Sequence, residues 1–367
     1  MSDPPVAKLA ELLVGYSVDV KPGERVLIRG DSNAEPLLAE IYAKVLQAGG
    51  QPVLYLGFPR QDEIFYKYAS DSQLDFVPDP LRLMLETYDV YIRILSPANT
   101  KALSEVDPLR VQRRQKALGP TLRTIMGRSA SGSLRWTLAP YPTSAMAQDA
   151  EMSLTDYEEF VFRACMPDLR DPIGYWKGVS AKQARIIDWL RGKREIRVAG
   201  PETDLRLSIA GRTFINCDCH LNVPDGEVFT GPVEDSMEGQ VSFSFPAIYQ
   251  GREVEGVRLW FEKGQVVRAT AKKNGDFLQR ILDTDEGSRR VGEFSIGTNE
   301  GITRFTREIL FDEKIGGSFH MALGASYPES GGTNQSAIHW DMICDLRQGG
   351  RIKVDGQLLY ENGQFVI

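Results

Sequence analysis

Two of the three histidines in this 367-residue chain lie in its last third, amid carboxylates and glycines. His339 and Asp341 are two residues apart, so they project from one face if residues 337–344 form a strand. A nitrogen and an oxygen donor on one rigid element suit a borderline divalent metal such as zinc, cobalt or manganese. His320 precedes small residues that would let a metal or a substrate approach the backbone: Ala322, Gly324 and Ala325.

Two glutamates upstream also lie in settings that are unusual for a solvated surface. Glu227 lies between Gly226 and the apolar pair Val228-Phe229. Glu293 is followed directly by an aromatic residue. Burying a lone carboxylate is costly unless a cation compensates it, so a metal ion is the natural partner of both side chains. Their spacing alone does not establish that they are ligands.

Two other stretches resemble binding sites. Residues 217–220 read Cys-Asp-Cys-His, which resembles a zinc-binding fragment, but a closed structural site needs four ligands and no second cysteine pair follows. Packing within a β-rich domain is therefore the preferred interpretation. The acidic run at residues 234–238 is typical of a solvated loop, and the alternative is that it contacts the ammonium group of a peptide.

Composition and charge exclude several classes of protein. Hydrophobic residues make up 42% of the chain and charged residues 25%, as in ordinary globular proteins. The net charge of −7 argues against a nucleic-acid partner, which would require a basic face. No apolar run approaches the roughly 20 residues that span a membrane, and the first residues do not resemble a secretory signal. Four cysteines do not form a disulfide framework in so long a chain, so we expect reduced thiols and a cytoplasmic location.

The first half of the chain alternates between strand and helix patterns. Short apolar runs predict strands, and amphipathic spacing predicts helices between them. The predicted strands are 25–30, 52–56, 90–94 and 134–138. The predicted helices are 8–16, 36–48, 81–87, 107–118, 143–151 and 154–166. This order predicts a mainly parallel α/β domain with right-handed crossovers over residues 1–190, which end in a helix at 180–190.

The second half is richer in short strands separated by glycine or proline. The predicted strands are 196–199, 205–209, 241–245, 257–261 and 265–269, and the last two form a hairpin with one buried face. Asp355-Gly356 and Asn362-Gly363 predict two further tight turns. Helices are predicted at 273–283 and 301–310. The fold class is therefore α/β plus α+β, with a β-rich C-terminal domain over residues 191–367 that carries the metal site.

Longer motifs around these residues resemble the aminopeptidase T family of metal-dependent aminopeptidases. They occur in the order and with the spacing of that family, at 224–232 (Pro-Asp-Gly-Glu-Val-Phe-Thr-Gly-Pro), 292–297, 320–324, 327–328 and 336–343. The segment 135–143 resembles the N-terminal half of the family, so the likeness covers nearly the whole chain. Any one motif alone is weak, whereas the combination is specific.

The resemblance implies an activity and a set of site residues. It implies a peptide hydrolase that acts on substrates with a free N-terminus, contains one or two divalent ions, and forms a homodimer that encloses its active sites. The implied metal ligands are Glu227, Glu293, His320, His339 and Asp341. Tyr327 matches the catalytic tyrosine, which we expect to stabilise the tetrahedral intermediate, and Glu293 or Glu227 acts in part as a general base. Five ligands exceed one open tetrahedral site and suit two ions that share a carboxylate.

Two other functions are compatible with the same residues. His320, His339 and Asp341 could form the iron-binding triad of a ring-cleaving dioxygenase, since some dihydroxypyridine dioxygenases resemble this fold distantly. That triad, however, requires neither Glu227 nor Glu293. The other alternative is a non-catalytic protein that binds peptides or metal and merely keeps the scaffold.

Overall fold

A computed structural model describes residues 4–367, which separate into two compact units. One unit comprises the chain through Ile173 together with Cys219–Pro224, and the other comprises Gly174–Asp218 and Asp225–Ile367. Within residues 4–367, no helix combines the length and apolar character that crossing a membrane requires. The expected boundary between separately folding domains near residue 190 stays a prediction.

The first unit contains a four-stranded parallel sheet in the order β2-β1-β3-β4. Its strands are β1 (Arg25–Asp31), β2 (Gln51–Gly57), β3 (Val90–Leu95) and β4 (Arg135–Pro140). Parallel neighbours require crossover connections, and helices supply them here. The predicted parallel α/β architecture is thus confirmed.

The helices of the first unit begin where the sequence offers capping groups. Thr143 and Ser153 each accept a hydrogen bond from a backbone N–H of the first turn that follows, as N-cap residues do. The helices are α1 (Pro4–Leu12, extended by a π-helical turn at Leu13–Ser17), α2 (Glu35–Gln47), α3 (Gln61–Tyr68), α4 (Asp71–Asp75), α5 (Asp79–Thr87), α6 (Pro108–Ala130), α7 (Ser144–Asp149) and α8 (Leu154–Cys165). Helix α9 (Pro172–Leu190) continues into the second unit.

The second unit contains a large antiparallel sheet in the order β13-β12-β9-β6-β5-β17-β18-β19. The turns predicted from Asp-Gly and Asn-Gly pairs join its last three strands. Its strands are β5 (Glu195–Gly200), β6 (Thr203–Ser208), β9 (Glu238–Ser242), β12 (Arg258–Glu262), β13 (Gln265–Thr270), β17 (Arg351–Val354), β18 (Gln357–Glu361) and β19 (Gln364–Phe365). The predicted hairpin β12–β13 is present, and it buries Leu259 and Phe261.

A second antiparallel sheet of this unit, in the order β16-β15-β14-β8-β7, carries all the predicted metal ligands. Its strands are β7 (Ile215–Cys217), β8 (Glu227–Thr230), β14 (Val291–Gly297), β15 (Ser318–Gly324) and β16 (His339–Asp345). A separate hairpin pairs β10 (Ala247–Tyr249) with β11 (Arg252–Val254). Helix α10 (Gly275–Leu282) matches the helix predicted at 273–283.

The five-stranded sheet has one apolar face and one polar face. Side chains alternate along a strand, so Phe294, Met321 and Trp340 point to one face, where they join the main hydrophobic core of the unit. The residues that alternate with them along each strand, including Glu293 and His320, point to the opposite face. Burial of the apolar face fixes the strand register, because a slip of one residue would exchange the two faces.

The helix predicted at 301–310 is wrong. This segment is irregular and ends in the short helix α11 (Ile309–Asp312). The Asp312 carboxylate accepts hydrogen bonds from the Thr306 backbone N–H at 2.7 Å and from its hydroxyl at 2.9 Å. Arg307 lies in the left-handed region with φ = 65°, which is incompatible with a continuous right-handed helix. A buried side-chain contact therefore outweighs the local helical pattern.

Candidate metal centre

The strand register places the five predicted ligands on the polar face of the five-stranded sheet. Glu293 pairs with Ala322, which in turn pairs with Asp341 on the next strand. His320 and His339 are each an even number of residues from these positions on strands β15 and β16. Glu227, at the start of β8, pairs with Gly297, which shares the face of Glu293. Antiparallel pairing thus assembles residues that are distant in sequence.

Glu293 lies between the two histidines. Its Oε1 is 3.4 Å from Nε2 of His320, and its Oε2 is 3.3 Å from Nε2 of His339. Glu227 Oε2 lies 3.3 Å from His320, and Asp341 Oδ1 lies 3.5 Å from His339. Ligands held at zinc-like bond lengths in a tetrahedron are about 3.4 Å apart, so these separations match two adjacent sites that share Glu293.

Each histidine is oriented through its second ring nitrogen. Nδ1 of His320 is 2.7 Å from the Glu313 carbonyl oxygen, and Nδ1 of His339 is 2.9 Å from the Ala325 carbonyl oxygen. A carbonyl oxygen only accepts hydrogen bonds, so each Nδ1 donates. The Nε2 atom of each ring is thereby left to face the carboxylates, as is usual for histidines that bind metals.

Burial and charge shift the proton affinities of these groups strongly. Burial lowers the pKa of His320, but contact with Glu293 and the charge of Glu227 outweigh it and raise the pKa to about 10. Burial also lowers the pKa of His339, but the charge of Asp341 and the contact with Glu293 outweigh burial and raise this pKa to about 12. Burial also raises the pKa of Asp341, but His339 and His320 lower it to about 2.

These shifts predict that metal binding releases protons. Without metal, both imidazoles are protonated near neutral pH, because their pKa values lie above it. A ligating nitrogen or carboxylate must be deprotonated, and burial raises the pKa of Glu227 to about 8. Full loading near neutral pH should therefore release about three protons, and metal affinity should rise with pH. Calorimetric titration of chelator-treated protein in buffers with different protonation enthalpies counts the protons. Loading without any proton release would contradict this electrostatic description.

The chemistry of this group of residues fits divalent cations. Glu227, Glu293 and His320 are buried, and Asp341 Oδ1 is a buried oxygen without a hydrogen-bond partner among residues 4–367. The five predicted ligands form two triads whose ligand atoms lie within 4.8 Å of one another. One triad is Glu227, Glu293 and His320, and the other is Glu293, His339 and Asp341. Nitrogen and oxygen donors in these triads suit zinc, cobalt or manganese. A cation would compensate carboxylates that are otherwise costly to bury.

Tyr327 lies beside this centre, on the loop that links β15 to β16. Its ring is 5.1 Å from the His339 ring in an edge-on arrangement and 5.4 Å from the Phe229 ring. Burial, followed by the charge of Glu293, raises the pKa of its phenol above the usual value, so the hydroxyl remains protonated and able to donate.

The acidic run at 234–238 anchors this loop. The Glu234 carboxylate forms an ion pair with Arg212 and accepts two hydrogen bonds of 2.7 Å from Thr333, which lies in the same loop as Tyr327. These contacts occupy Glu234, so they do not favour the alternative that it contacts the ammonium group of a peptide. The loop is further held by Asp285, which accepts from the backbone N–H of Ala337 at 2.7 Å.

Two of the small residues after His320 are required by the packing of the sheet around the centre. Gly324 has φ = 105°, and a Cβ there would lie 2.2 Å from the Ile338 carbonyl oxygen. Glycine is therefore required for the close approach of β15 to the chain just before His339. Ala322 pairs with both Glu293 and Asp341, and its small side chain leaves space between them.

Four further polar residues near the centre were missed in the sequence. Ser295 donates a hydrogen bond of 2.7 Å to Glu227 Oε2, and strand alternation from Glu293 could have indicated it. Asp225, Glu313 and the buried Lys314 approach Glu227 from loops, where no periodicity applies. Asp225 and Glu227 also lie within 4.8 Å of the Cys217 sulfur. Of the Cys-Asp-Cys-His stretch, it is thus Cys217 that borders this centre.

The chain is similar to several known aminopeptidases over almost its full length. It is 29% identical to "Aminopeptidase 2" of Geobacillus stearothermophilus, over 95% of this chain and 94% of that protein. It is 28% identical to "Aminopeptidase T" of Thermus thermophilus, over 97% of this chain and 95% of that one. The structure of wild-type AmpT from Thermus thermophilus matches with a TM-score of 0.87 at 25% identity, and the match covers 99% of both chains.

These relatives, together with the metal-binding geometry, define a metallo-aminopeptidase, which is a peptide hydrolase. The model of the thermophilic metalloprotease family (M29) matches residues 2–365, and the chain belongs to that family. The resemblance seen in the sequence motifs is thereby confirmed, as is the expectation of an enzyme that uses divalent metal ions.

A dioxygenase also shares the fold. The structure of 2,5-dihydroxypyridine dioxygenase from Pseudomonas putida matches with a TM-score of 0.59 at 13% identity, and the match covers 99% of this chain and 96% of that one. Identity this low establishes a common fold and nothing about activity. The ring-cleaving alternative is therefore not favoured, since the family and the named relatives are peptidases.

Proposed function

We propose that the chain hydrolyses the N-terminal peptide bond of peptides at two divalent ions held by Glu227, Glu293, His320, His339 and Asp341. The observation that supports this proposal most strongly is the position of Glu293, whose two carboxylate oxygens face different histidines. A carboxylate shared by two clusters, each with one histidine and one further acid, could hold two adjacent divalent ions. The resemblance of the surrounding motifs to metal-dependent aminopeptidases supports the same assignment.

Two divalent ions would supply the main chemistry when bound, because they lower the pKa of water and polarise the scissile carbonyl. The residues of this chain determine where that chemistry occurs. Glu227 and Glu293 are buried carboxylates beside the reacting position, so either can accept the proton of the attacking water. The free α-amine of a substrate would serve as a ligand at the loaded centre, which would restrict cleavage to N-termini.

Tyr327 is proposed to stabilise the tetrahedral intermediate. Its phenol is held beside His339 by a loop anchored through Glu234 and Asp285, and it remains protonated. A fixed hydroxyl that donates to the developing oxyanion lowers the barrier without reorganisation during the reaction. Its proximity to the five proposed ligands supports this assignment.

The central experiment is release of free amino acids from short peptides by chelator-stripped enzyme. Activity should be lost on stripping and return when zinc, cobalt or manganese is added. N-acetylation of the same peptides should abolish cleavage, because an amide nitrogen cannot serve as the amine ligand. Hydrolysis that persists without metal, or equal cleavage of acetylated peptides, would overturn the proposed mechanism.

Two other features stay predictions. The homodimer that encloses the active sites is one of them, and the cytoplasmic location expected from cysteine usage is another. The donor set of imidazole nitrogens and carboxylate oxygens supports zinc, cobalt or manganese as the native ion.

A further inference from the structure

A buried lysine lies next to the candidate metal centre and has no role in the proposed mechanism. The Lys314 side chain is fully buried, and its Nζ lies 3.6 Å from Glu227 Oε1. It also forms an ion pair with the neighbouring Glu313 carboxylate. A side chain without solvent exposure cannot contact a peptide, so any effect of Lys314 must act through the groups around it.

The two charges of the Glu313–Lys314 pair lie near different ligands of the metal centre. Its positive end contacts Glu227 on the opposite side from His320, because Lys314 approaches Oε1 whereas His320 approaches Oε2. Its negative end faces the other way, since a Glu313 carboxylate oxygen lies within 4.8 Å of ligand atoms of His320 and Asp341. The pair is therefore a fixed dipole with its positive end beside Glu227.

Backbone contacts keep this dipole in place. The Glu313 carbonyl oxygen accepts from His320 Nδ1 at 2.7 Å, and the Lys314 carbonyl oxygen accepts from the Asn299 N–H at 3.1 Å. At Gly297, the strand partner of Glu227, a Cβ would lie 3.0 Å from the Lys314 carbonyl carbon. The lysine is thus held against the end of β14, the strand that carries Glu293.

We propose that Lys314 makes the two metal positions unequal, so that the ion between Glu227 and His320 binds more weakly than the ion between His339 and Asp341. A buried ammonium repels a divalent ion, and the repulsion is greatest at the nearer position. It also compensates part of the charge of Glu227, which leaves less negative charge for a metal. This inference rests on the ligand assignment of the proposed function, and it adds an order of loading and the residue that sets it.

The test is a Co²⁺ titration of chelator-stripped full-length protein, in which calorimetry measures each binding step and metal analysis counts the bound cobalt. We expect two binding steps whose dissociation constants differ at least about 10-fold. Glu227→Gln should remove the weaker step, whereas Asp341→Asn should remove the tighter one. The reverse assignment of the two steps would overturn the inference.

Two substitutions in the dipole should have opposite effects on the weaker step. Lys314→Met removes the repulsion and should tighten it about 10-fold, whereas Glu313→Gln leaves the ammonium uncompensated and should weaken it about 10-fold. The first step should change much less in Lys314→Met. Glu313→Gln also removes a charge near Asp341, so it should weaken the first step as well. A purely structural function would weaken both steps in both variants, and this result would overturn the inference. Thermal unfolding with saturating Co²⁺ verifies that each variant is folded, and Lys314→Gln, which also removes the ammonium, tests the inference if Lys314→Met does not fold.

The same titration separates this inference from the proposed function. Two ions bound with equal affinity, or an unchanged second step in Lys314→Met, would overturn the inference and leave the two-ion centre intact. A wild-type protein that binds no divalent ion would overturn both.

Discussion

Replacing Glu293 with glutamine should abolish hydrolysis, with a loss of at least about 1000-fold in kcat/KM. The reason is geometric, because Glu293 presents a different carboxylate oxygen to each histidine, at 3.4 and 3.3 Å. An amide has the shape of the carboxylate but lacks its charge and offers a single acceptor oxygen. Both metal positions should therefore weaken together, whereas Glu227→Gln should affect one of them.

Three measurements make this prediction specific. Metal content after dialysis should fall from two ions to none in Glu293→Gln and from two to one in Glu227→Gln. Circular dichroism at working temperature should show that both variants are folded. Glu262→Gln, at the exposed end of β12, is the matched control and should retain full activity and metal. An active Glu293→Gln enzyme with normal metal content would show that Glu293 is not a bridging ligand.

The fold could be predicted from the sequence where periodicity and turn chemistry agree. Parallel strands β1 to β4 are short apolar runs between amphipathic helices, and both patterns have a strong local signal. The hairpin β12–β13 was predictable because Leu259 and Phe261 alternate with Arg258 and Trp260 before a Lys-Gly turn. The irregular structure of residues 301–308 could not be predicted, because the Asp312 carboxylate accepts a buried hydrogen bond from the Thr306 N–H that local propensity does not reveal.

Some residues of the candidate site could likewise be predicted from the sequence, and others could not. His339 and Asp341 could be predicted to act together because a strand projects them from one face. Glu227 and Glu293 required family motifs, since only the pairing of β8, β14 and β15 brings them to His320. Lys314 could not be predicted at all. A buried ammonium is tolerated only when carboxylates from other segments surround it, and that condition depends on the tertiary structure.

Tyr327→Phe should lower kcat about 100-fold to 1000-fold while it leaves the fold and both metal positions unchanged. The Tyr327 ring lies 5.1 Å from the His339 ring in an edge-on arrangement and 5.4 Å from the tilted Phe229 ring, and phenylalanine preserves this packing. What disappears is one hydrogen-bond donor aimed at the developing oxyanion. Because that donor acts mainly in the transition state, KM should change much less than kcat.

The loop that carries Tyr327 gives this experiment its control. Glu234 holds Thr333 and Arg212, so Glu234→Gln should loosen the loop and impair positioning of the phenol without removing it. Its kcat should therefore fall less than that of Tyr327→Phe, and the double variant should be no worse than Tyr327→Phe alone. Tyr360→Phe, on β18, controls for the loss of a buried phenol elsewhere and should retain full kcat. Full activity in Tyr327→Phe with both ions bound would assign oxyanion stabilisation to the metal ions alone.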